Sequence, residues 1–345
     1  MDYAEEQIFI LVDSNTREFC LPHLRELLYN RYALHVRGEN VLEMPAGEEY
    51  KSIETILPLW HELVERKATR KALLINLGGG VVTDMGGFVA ATYRRGIDYI
   101  NVPTTLLSMV DAGHGGKTGF DFEGLKNFIG SFYPPKEVWI EPRYLKTLPR
   151  EEMLSGYAEL IKHALLSGSV ALDEALERIE LFLHLPEAND DELAICERMI
   201  NESIAVKQQV VELDPRETGL RKCLNLGHTI GHALEELSFQ KGAPLRHGYA
   251  VMQGLIAELW LSAKILGLPM GVVDKVAQCM QTYYGAVEIA ESDFKSILAY
   301  MRNDKKNASA NEINFTLLSS VGKYEVNHIV PCKMIGEALQ FLTQI

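Results

Sequence analysis

Apolar residues follow two rhythms along this chain, and the change falls near residue 148. Before it, short apolar runs alternate with longer amphipathic stretches. QIFILV (7–12), KALLINL (71–77), DYINV (98–102) and KEVWI (136–140) are continuous enough for buried strands, and 21–30 has helical spacing. After KALLINL comes GGGVVTDMGGFVAATYRRG, where strand character gives way to helix character across glycines. Strands alternating with helices predict a mainly parallel sheet with both faces covered. From about Leu148 the helical period dominates, through 151–167, 170–184, 190–213, 225–238, 247–266 and 271–284. NEINFTLLSS (311–320) is the late stretch that reads as a strand. The pattern predicts an α/β domain over 1–148 and a mostly α-helical domain over 149–345.

Composition narrows the class. The chain has 345 residues, 47% of them hydrophobic and 23% charged, which is globular and long enough for two domains. The start, MDYAEEQIFILVDSN, carries acids where a signal peptide would carry basic residues, so no secretion signal is expected. The most apolar long stretch, 248–273, is interrupted by Glu258 and Lys264, which argues against a membrane span. Five cysteines are scattered without a CxxC pair, as expected for reduced thiols in a cytoplasmic protein. A net charge of −13 argues against nucleic-acid and anionic-membrane partners. Basic residues still gather near the glycine- and histidine-rich segments, which points to a small anionic ligand.

Several segments carry candidate chemistry. INLGGGVVTDMGG (75–87) reads as a strand, a glycine turn and a helix start, able to bring backbone N–H groups close to a phosphate. It is not the GxGxxG fingerprint, because Thr83 stands at the third glycine. PTTLLSMVDAGHGGKTG (103–119) sets Lys117 just beyond Gly115 and Gly116, a further phosphate-compatible arrangement. LKNFIGSFYPP (125–135), with Lys126 and Asn127, reads by itself as a solvated loop. In SGYAELIKHALL, Glu159 and Lys162 lie one turn apart, as in a surface ion pair, although apolar neighbours on several sides allow an inward direction. LNLGHTIGHALE (224–235) places His228 and His232 one helical turn apart. They could form a metal pair, one ligand beside one catalytic base, or two core histidines, and the stretch alone leaves all three open. His247, Lys207, Glu217, Arg221 and Asn225 share the region, whereas His23, His35, His61, His184 and His328 have no such company.

Taken together, GGGVVTDMGGFVAATYRRG, PTTLLSMVDAGHGGKTG, LKNFIGSFYPP, SGYAELIK, LNLGHTIGHALE and HGYAV resemble the 3-dehydroquinate synthase family of sugar phosphate cyclases, from about Asp13 to DKKN (304–307). The resemblance implies an NAD-binding α/β domain followed by a helical metal- and substrate-binding domain. It implies catalytic zinc, or cobalt, on Glu159, His228 and His247, and NAD bound by Asp13, Asn15, Glu48, Lys51, Gly79, Gly80, Asp84, Thr104, Thr105, Lys126 and Thr147. Substrate contacts would be Arg95, Asp111, Lys117, Asn127, Lys162, Lys207, Arg221, Asn225, His232 and Lys306. Of these, His232, Lys117, Asn225 and Lys162 would be catalytic. Arg95 would reach the neighbouring subunit's site, implying a homodimer. The implied reaction turns 3-deoxy-D-arabino-heptulosonate 7-phosphate into 3-dehydroquinate and phosphate. It runs through transient oxidation by NAD, phosphate elimination, reduction and an intramolecular aldol closure, within aromatic amino acid biosynthesis.

Two segments depart from the family pattern. VDAGHGGKTG has Gly113 and His114 where the family carries a small residue and a β-branched one, and HGY has Tyr249 where the family carries an acid. Neither removes an implied ligand. Gly113 would loosen the backbone, and loss of the acid would alter support of the metal. Inosose- and valiolone-type cyclases are the sibling reading, disfavoured by Arg221, Asn225 and His232. A metal-dependent polyol dehydrogenase would accumulate NADH, and a non-catalytic descendant would bind without turnover.

Overall fold

The structure is a computed structural model that describes residues 3–345 except 124, 216 and 303–312. The chain divides into two units, Met1–Pro149 with Leu185–Glu197, and Arg150–His184 with Arg198–Ile345. In the first unit the strands are β1 (Ile8–Asp13), β2 (Val41–Met44), β3 (Leu73–Gly78), β4 (Asp98–Pro103), β5 (Lys117–Phe122), β6 (Leu125–Phe132) and β7 (Glu137–Val138). Its helices include α1 (Ser14–Phe19), α2 (Leu21–Tyr32), α3 (Ile53–Glu65) and α4 (Gly80–Thr92). The sheet is parallel, in the order β2-β1-β3-β4-β7. Every residue of β3 is buried, as a strand covered on both faces requires. On one face Ile56, Leu59 and Leu63 of α3 and Met85, Phe88 and Val89 of α4 close a core with Phe9, Leu11 and Leu74.

The run 136–140 yields a strand of only two residues, Glu137 and Val138. Trp139 still donates its amide to the Asn101 carbonyl at 2.8 Å. The segment read as a solvated loop, 125–135, instead supplies β6, the antiparallel partner of β5. Its side chains are exposed on both faces, so no burial rhythm marked it as a strand.

The second unit is built from α5 (Arg150–Ser167), α6 (Ser169–Glu177), α7 (Ile179–Leu183), α8 (Asp190–Leu213), α9 (His228–Gln240), α10 (His247–Leu266), α11 (Met270–Tyr283) and α12 (Phe294–Arg302). A hairpin of β8 (Asn314–Ser320) and β9 (Lys323–Ile329) and the helix α13 (Cys332–Leu342) follow. The first residues of α8 cluster with the first unit. The single helix expected over 170–184 is broken at Arg178. The helix expected from 225 starts at His228, because Leu220–Asn225 forms a 3-10 turn first. β9 was not anticipated; its residues alternate between partly buried and exposed, the mark of an edge hairpin. All five cysteines are free, and four are buried.

Candidate functional site

In the first unit the carboxyl ends of the parallel strands collect the expected nucleotide-binding residues. β2 and β3 flank β1 on opposite sides, so the strand order reverses there, where open α/β sheets hold ligands. Asp13 ends β1, Gly79 and Gly80 follow β3 into α4, and Thr104 and Thr105 follow β4. Gly79 is pressed against Thr105: a Cβ on it would lie 2.9 Å from the threonine methyl. That bareness lets the backbone and the free N–H groups of α4 approach an anion. Asp13 accepts from the Thr16 amide at 2.7 Å and caps α1. Thr105 accepts from the Ser108 amide at 3.1 Å. Neighbouring Asn15 is exposed.

Charges gather beside this turn. Buried Lys51 pairs with Asp84 at 2.8 Å and with Glu48 at 3.9 Å. Burial would lower the Lys51 pKa, but Asp84, then Glu48, outweigh it and raise it. Asp121 accepts from the Asn127 amide at 2.7 Å, which holds Asn127 at φ 48° on β6. Lys126 is exposed beside it, Lys117 is exposed at the start of β5, and Asp111 lies partly buried in a π-helical turn over Ser108–Ala112. Arg95 is exposed, in a bend where Arg94 and Arg95 both have positive φ. Thr147 is exposed in a 3-10 turn and donates to the Tyr144 carbonyl at 3.3 Å.

The two departures at 113 and 114 have a structural account. His114 turns inward, buried, with Nε2 at 2.7 Å from the Met109 carbonyl of the π-turn. Gly113 does not loosen the backbone, since its φ is −66°, open to any residue. It is small because a Cβ would lie 2.6 Å from the Ser108 carbonyl oxygen. Tyr249 packs edge-on against Tyr284, ring centroids 5.1 Å apart.

In the second unit Glu159 and Lys162 form a fully buried ion pair on α5, at 0% and 1% exposure, not a surface pair. His228 opens α9 and His247 opens α10, so both sit where a first helical turn fixes their backbone. Ligand atoms of Glu159, His228 and His247 lie within 4.8 Å of one another. His228 Nε2 is 3.2 Å and His247 Nε2 3.5 Å from the same Glu159 oxygen. His228 Nδ1 faces the Leu226 carbonyl at 3.1 Å, and His247 Nδ1 faces the Glu235 carboxylate at 3.2 Å. Both outer partners only accept, so each Nδ1 carries a proton, and a deprotonated Nε2 would turn its lone pair toward Glu159.

Lone pairs aimed at a carboxylate repel unless a cation stands among them. Burial, then the charge of Lys162, pushes the His228 pKa down to about 3, so that ring supplies no proton at neutral pH. Burial opposes ionisation of Glu159, yet Lys162 and His228 together hold its carboxyl well below the usual range. His247, between Glu159 and Glu235, is raised to about 10 against the effect of burial. Neither Glu159 oxygen has a well-formed hydrogen bond. A buried carboxylate beside two imidazole nitrogens is a donor set that could hold zinc or cobalt.

His232 is not one of the three. Its ring centroid lies 5.3 Å from that of His228 and 5.9 Å from that of His247, one turn deeper along α9. Lys162, Lys207 and Arg221 are all buried cations in this unit. Asp214 accepts from the amides of Gly219 at 2.7 Å and Arg221 at 3.1 Å, and Arg221 Nη1 donates to the Pro215 carbonyl at 2.8 Å. Asn225 donates to Glu217 at 2.9 Å. Lys306 lies outside the described residues. Sequence reasoning missed Glu235, although it stands on the same face of α9 as His228 and His232. It also missed Asp214, which acts through backbone amides and leaves no signal in side-chain pattern.

Comparison with known proteins adds a family context. The profile described as "3-dehydroquinate synthase N-terminal" matches residues 41–155, and "3-dehydroquinate synthase C-terminal" matches 156–307. A 3-dehydroquinate synthase of Parabacteroides distasonis is 44% identical over 336 residues, 97% of this chain and 91% of that protein. A 2-deoxy-scyllo-inosose synthase, solved with carbaglucose-6-phosphate, NAD and cobalt, superposes with a TM-score of 0.79 at 25% identity, covering 98% of this chain and 90% of that one. A 2-epi-5-epi-valiolone synthase from Streptomyces hygroscopicus, solved with NAD and zinc, reaches a TM-score of 0.82 at 23% identity, covering 98% and 91%, a likeness of fold.

Proposed function

The chain belongs to the 3-dehydroquinate synthase family, and from that premise we propose how its residues divide the reaction. It converts 3-deoxy-D-arabino-heptulosonate 7-phosphate to 3-dehydroquinate and phosphate, a step of aromatic biosynthesis. The observation that carries the assignment is one buried Glu159 oxygen within 3.5 Å of two imidazole Nε2 atoms, all three residues close enough to share one ion. Glu159, His228 and His247 would hold the divalent metal, zinc or cobalt. When bound, the metal supplies Lewis acidity to the substrate's hydroxyl and carbonyl oxygens, and NAD supplies a hydride acceptor that later returns the hydride.

The other residues bind, orient and move protons. Lys117, Lys162, Lys207, Arg221 and Lys306 are cations matched to a substrate carrying a carboxylate and a phosphate, and charge-assisted bonds at both ends fix its direction. Asp111, Asn127 and Asn225 add neutral or anionic contacts to the sugar hydroxyls. His232, adjacent to the metal position without being a ligand, hydrogen-bonds the phosphate and carries a proton during its departure. Asp13, Asn15, Glu48, Lys51, Gly79, Gly80, Asp84, Thr104, Thr105, Lys126 and Thr147 bind NAD. The strand-end position of Asp13, Gly79, Gly80, Thr104 and Thr105 supports this.

The enzyme works in the cytoplasm as a homodimer, with Arg95 reaching the partner's substrate. The hairpin of β5 and β6 supports a covering copy: Leu125 is 51% and Phe132 66% exposed on a strand open on both faces. No helix among the described residues is long and apolar enough to cross a membrane. The test is a single mixture of protein, the seven-carbon keto acid phosphate, NAD and zinc, followed for inorganic phosphate and for NADH absorbance. Many turnovers of phosphate without net NADH are expected. Steady NADH accumulation would instead identify a dehydrogenase, and no phosphate release would refute the substrate. Sedimentation at assay concentration reads the dimer, and a monomeric mass would refute it.

A further inference from the structure

Behind the ligand set lies a carboxylate with no part in the reading above. Glu258, in the middle of α10, is completely buried. Its Oε2 accepts from the Gly227 amide at 2.6 Å and its Oε1 from the Ile230 amide at 3.0 Å. These amides belong to the first turn of α9, where helical N–H groups have no partner inside the helix. A local cap is absent, because the N-cap residue is Gly227, which has no side chain. Glycine is required there twice over. Its φ is 79°, and a Cβ would lie 2.7 Å from the Leu255 side chain. Gly254 is bare for the matching reason, since its Cβ would come within 2.0 Å of the Gly227 carbonyl. α10 thus runs too close to the start of α9 for any local cap, and supplies the cap itself. Two amides and the positive end of α9 answer a buried charge that would otherwise be strongly destabilising.

His228 sits between the two amides that Glu258 holds, and α10 carries His247 at its own first position. We propose that Glu258 is a positioning residue for the metal: one carboxylate pins the first turn of α9 to α10, and so fixes the separation of His228 and His247. The inference rests on the metal reading of Glu159, His228 and His247. It assigns metal affinity to a residue outside the ligand set.

Glu258→Gln keeps the shape but turns one acceptor into an N–H facing an N–H. Zinc competition against a chromophoric chelator, on protein whose circular dichroism matches wild type, should show about tenfold weaker binding or worse. The visible spectrum of the cobalt-loaded variant should shift as well, which a general loss of stability would not cause. Zinc lost in His228→Ala but held by Glu258→Gln at wild-type affinity overturns this inference and leaves the metal reading standing. Zinc bound by neither wild type nor variant overturns both. If Glu258→Gln does not fold, amide hydrogen exchange on the wild type decides. Zinc should slow exchange at Gly227 and Ile230 about tenfold, and unchanged exchange there overturns the proposal.

Discussion

Replacing Lys162 by methionine keeps the length of the side chain and deletes the charge beside Glu159, both residues being fully buried. Removing one partner of a buried ion pair costs about 3–5 kcal/mol, because the other charge is left unanswered. Glu159 can escape by taking up a proton, which sets a ceiling. For a carboxyl of ordinary pKa near 4.3, protonation at pH 7 costs about 1.4 kcal/mol per unit over roughly 2.7 units, or about 4 kcal/mol. The metal-free variant should therefore lose about 3–4 kcal/mol, which lowers Tm by about 6–16 °C for a unit of this size. At pH 5 the escape is cheaper, and the loss should shrink to about 1 kcal/mol. With zinc present a dication answers the same carboxylate, so the loss should fall below about 1 kcal/mol. The thermodynamic cycle then requires zinc to bind the variant roughly 30–150-fold more tightly than wild type, even as turnover falls for want of a substrate contact. Calorimetry in chelator and in saturating zinc, with a zinc competition titration, measures all four corners. Equal losses with and without zinc would refute the claim that Lys162 and the metal share Glu159.

Three further outcomes follow from the geometry. His228→Ala should abolish both zinc binding and turnover, whereas His232→Ala should keep the metal and slow phosphate release by about 10²–10⁴-fold; loss of metal in both variants would show that the pair is not divided as described. Asp214 is held at about 2, below its ordinary 3.8, by the amides of Thr218 first and Gly219 next. A depressed carboxyl stabilises above the unfolded pKa, so urea titrations should show a stability difference between wild type and Asp214→Asn that is full above about pH 4 and disappears as pH falls through about 2. Gly113→Ala, by forcing a Cβ onto the Ser108 carbonyl, should destabilise by about 1–3 kcal/mol in the same titration, and a neutral result would mean the π-turn yields freely.

The first unit was readable where burial is two-sided. β1, β3 and β4 are short continuous apolar runs, and such runs mark covered parallel strands. β6 was not, because a strand exposed on both faces has no apolar rhythm to detect. Over 170–184 helical spacing continues across Arg178, and no glycine or proline announces the break there. In the second unit the motif segments were visible, but the division of His228 and His232 was not. That division depends on ring direction, which for His228 is set by the Leu226 carbonyl. In the sequence Glu258 is only an interruption of an apolar stretch. Its role is invisible in sequence because its partners are backbone amides of residues 28 and 31 positions away.

The thiols have a practical consequence. Burial raises Cys20, Cys196 and Cys279 to about 12 and also raises Cys223, so at neutral pH almost none of these four is a thiolate. Cys332, opening the last helix, is the one left partly accessible. A maleimide dye added to the folded enzyme should attach there alone, giving one fluorophore per chain without engineering any residue away.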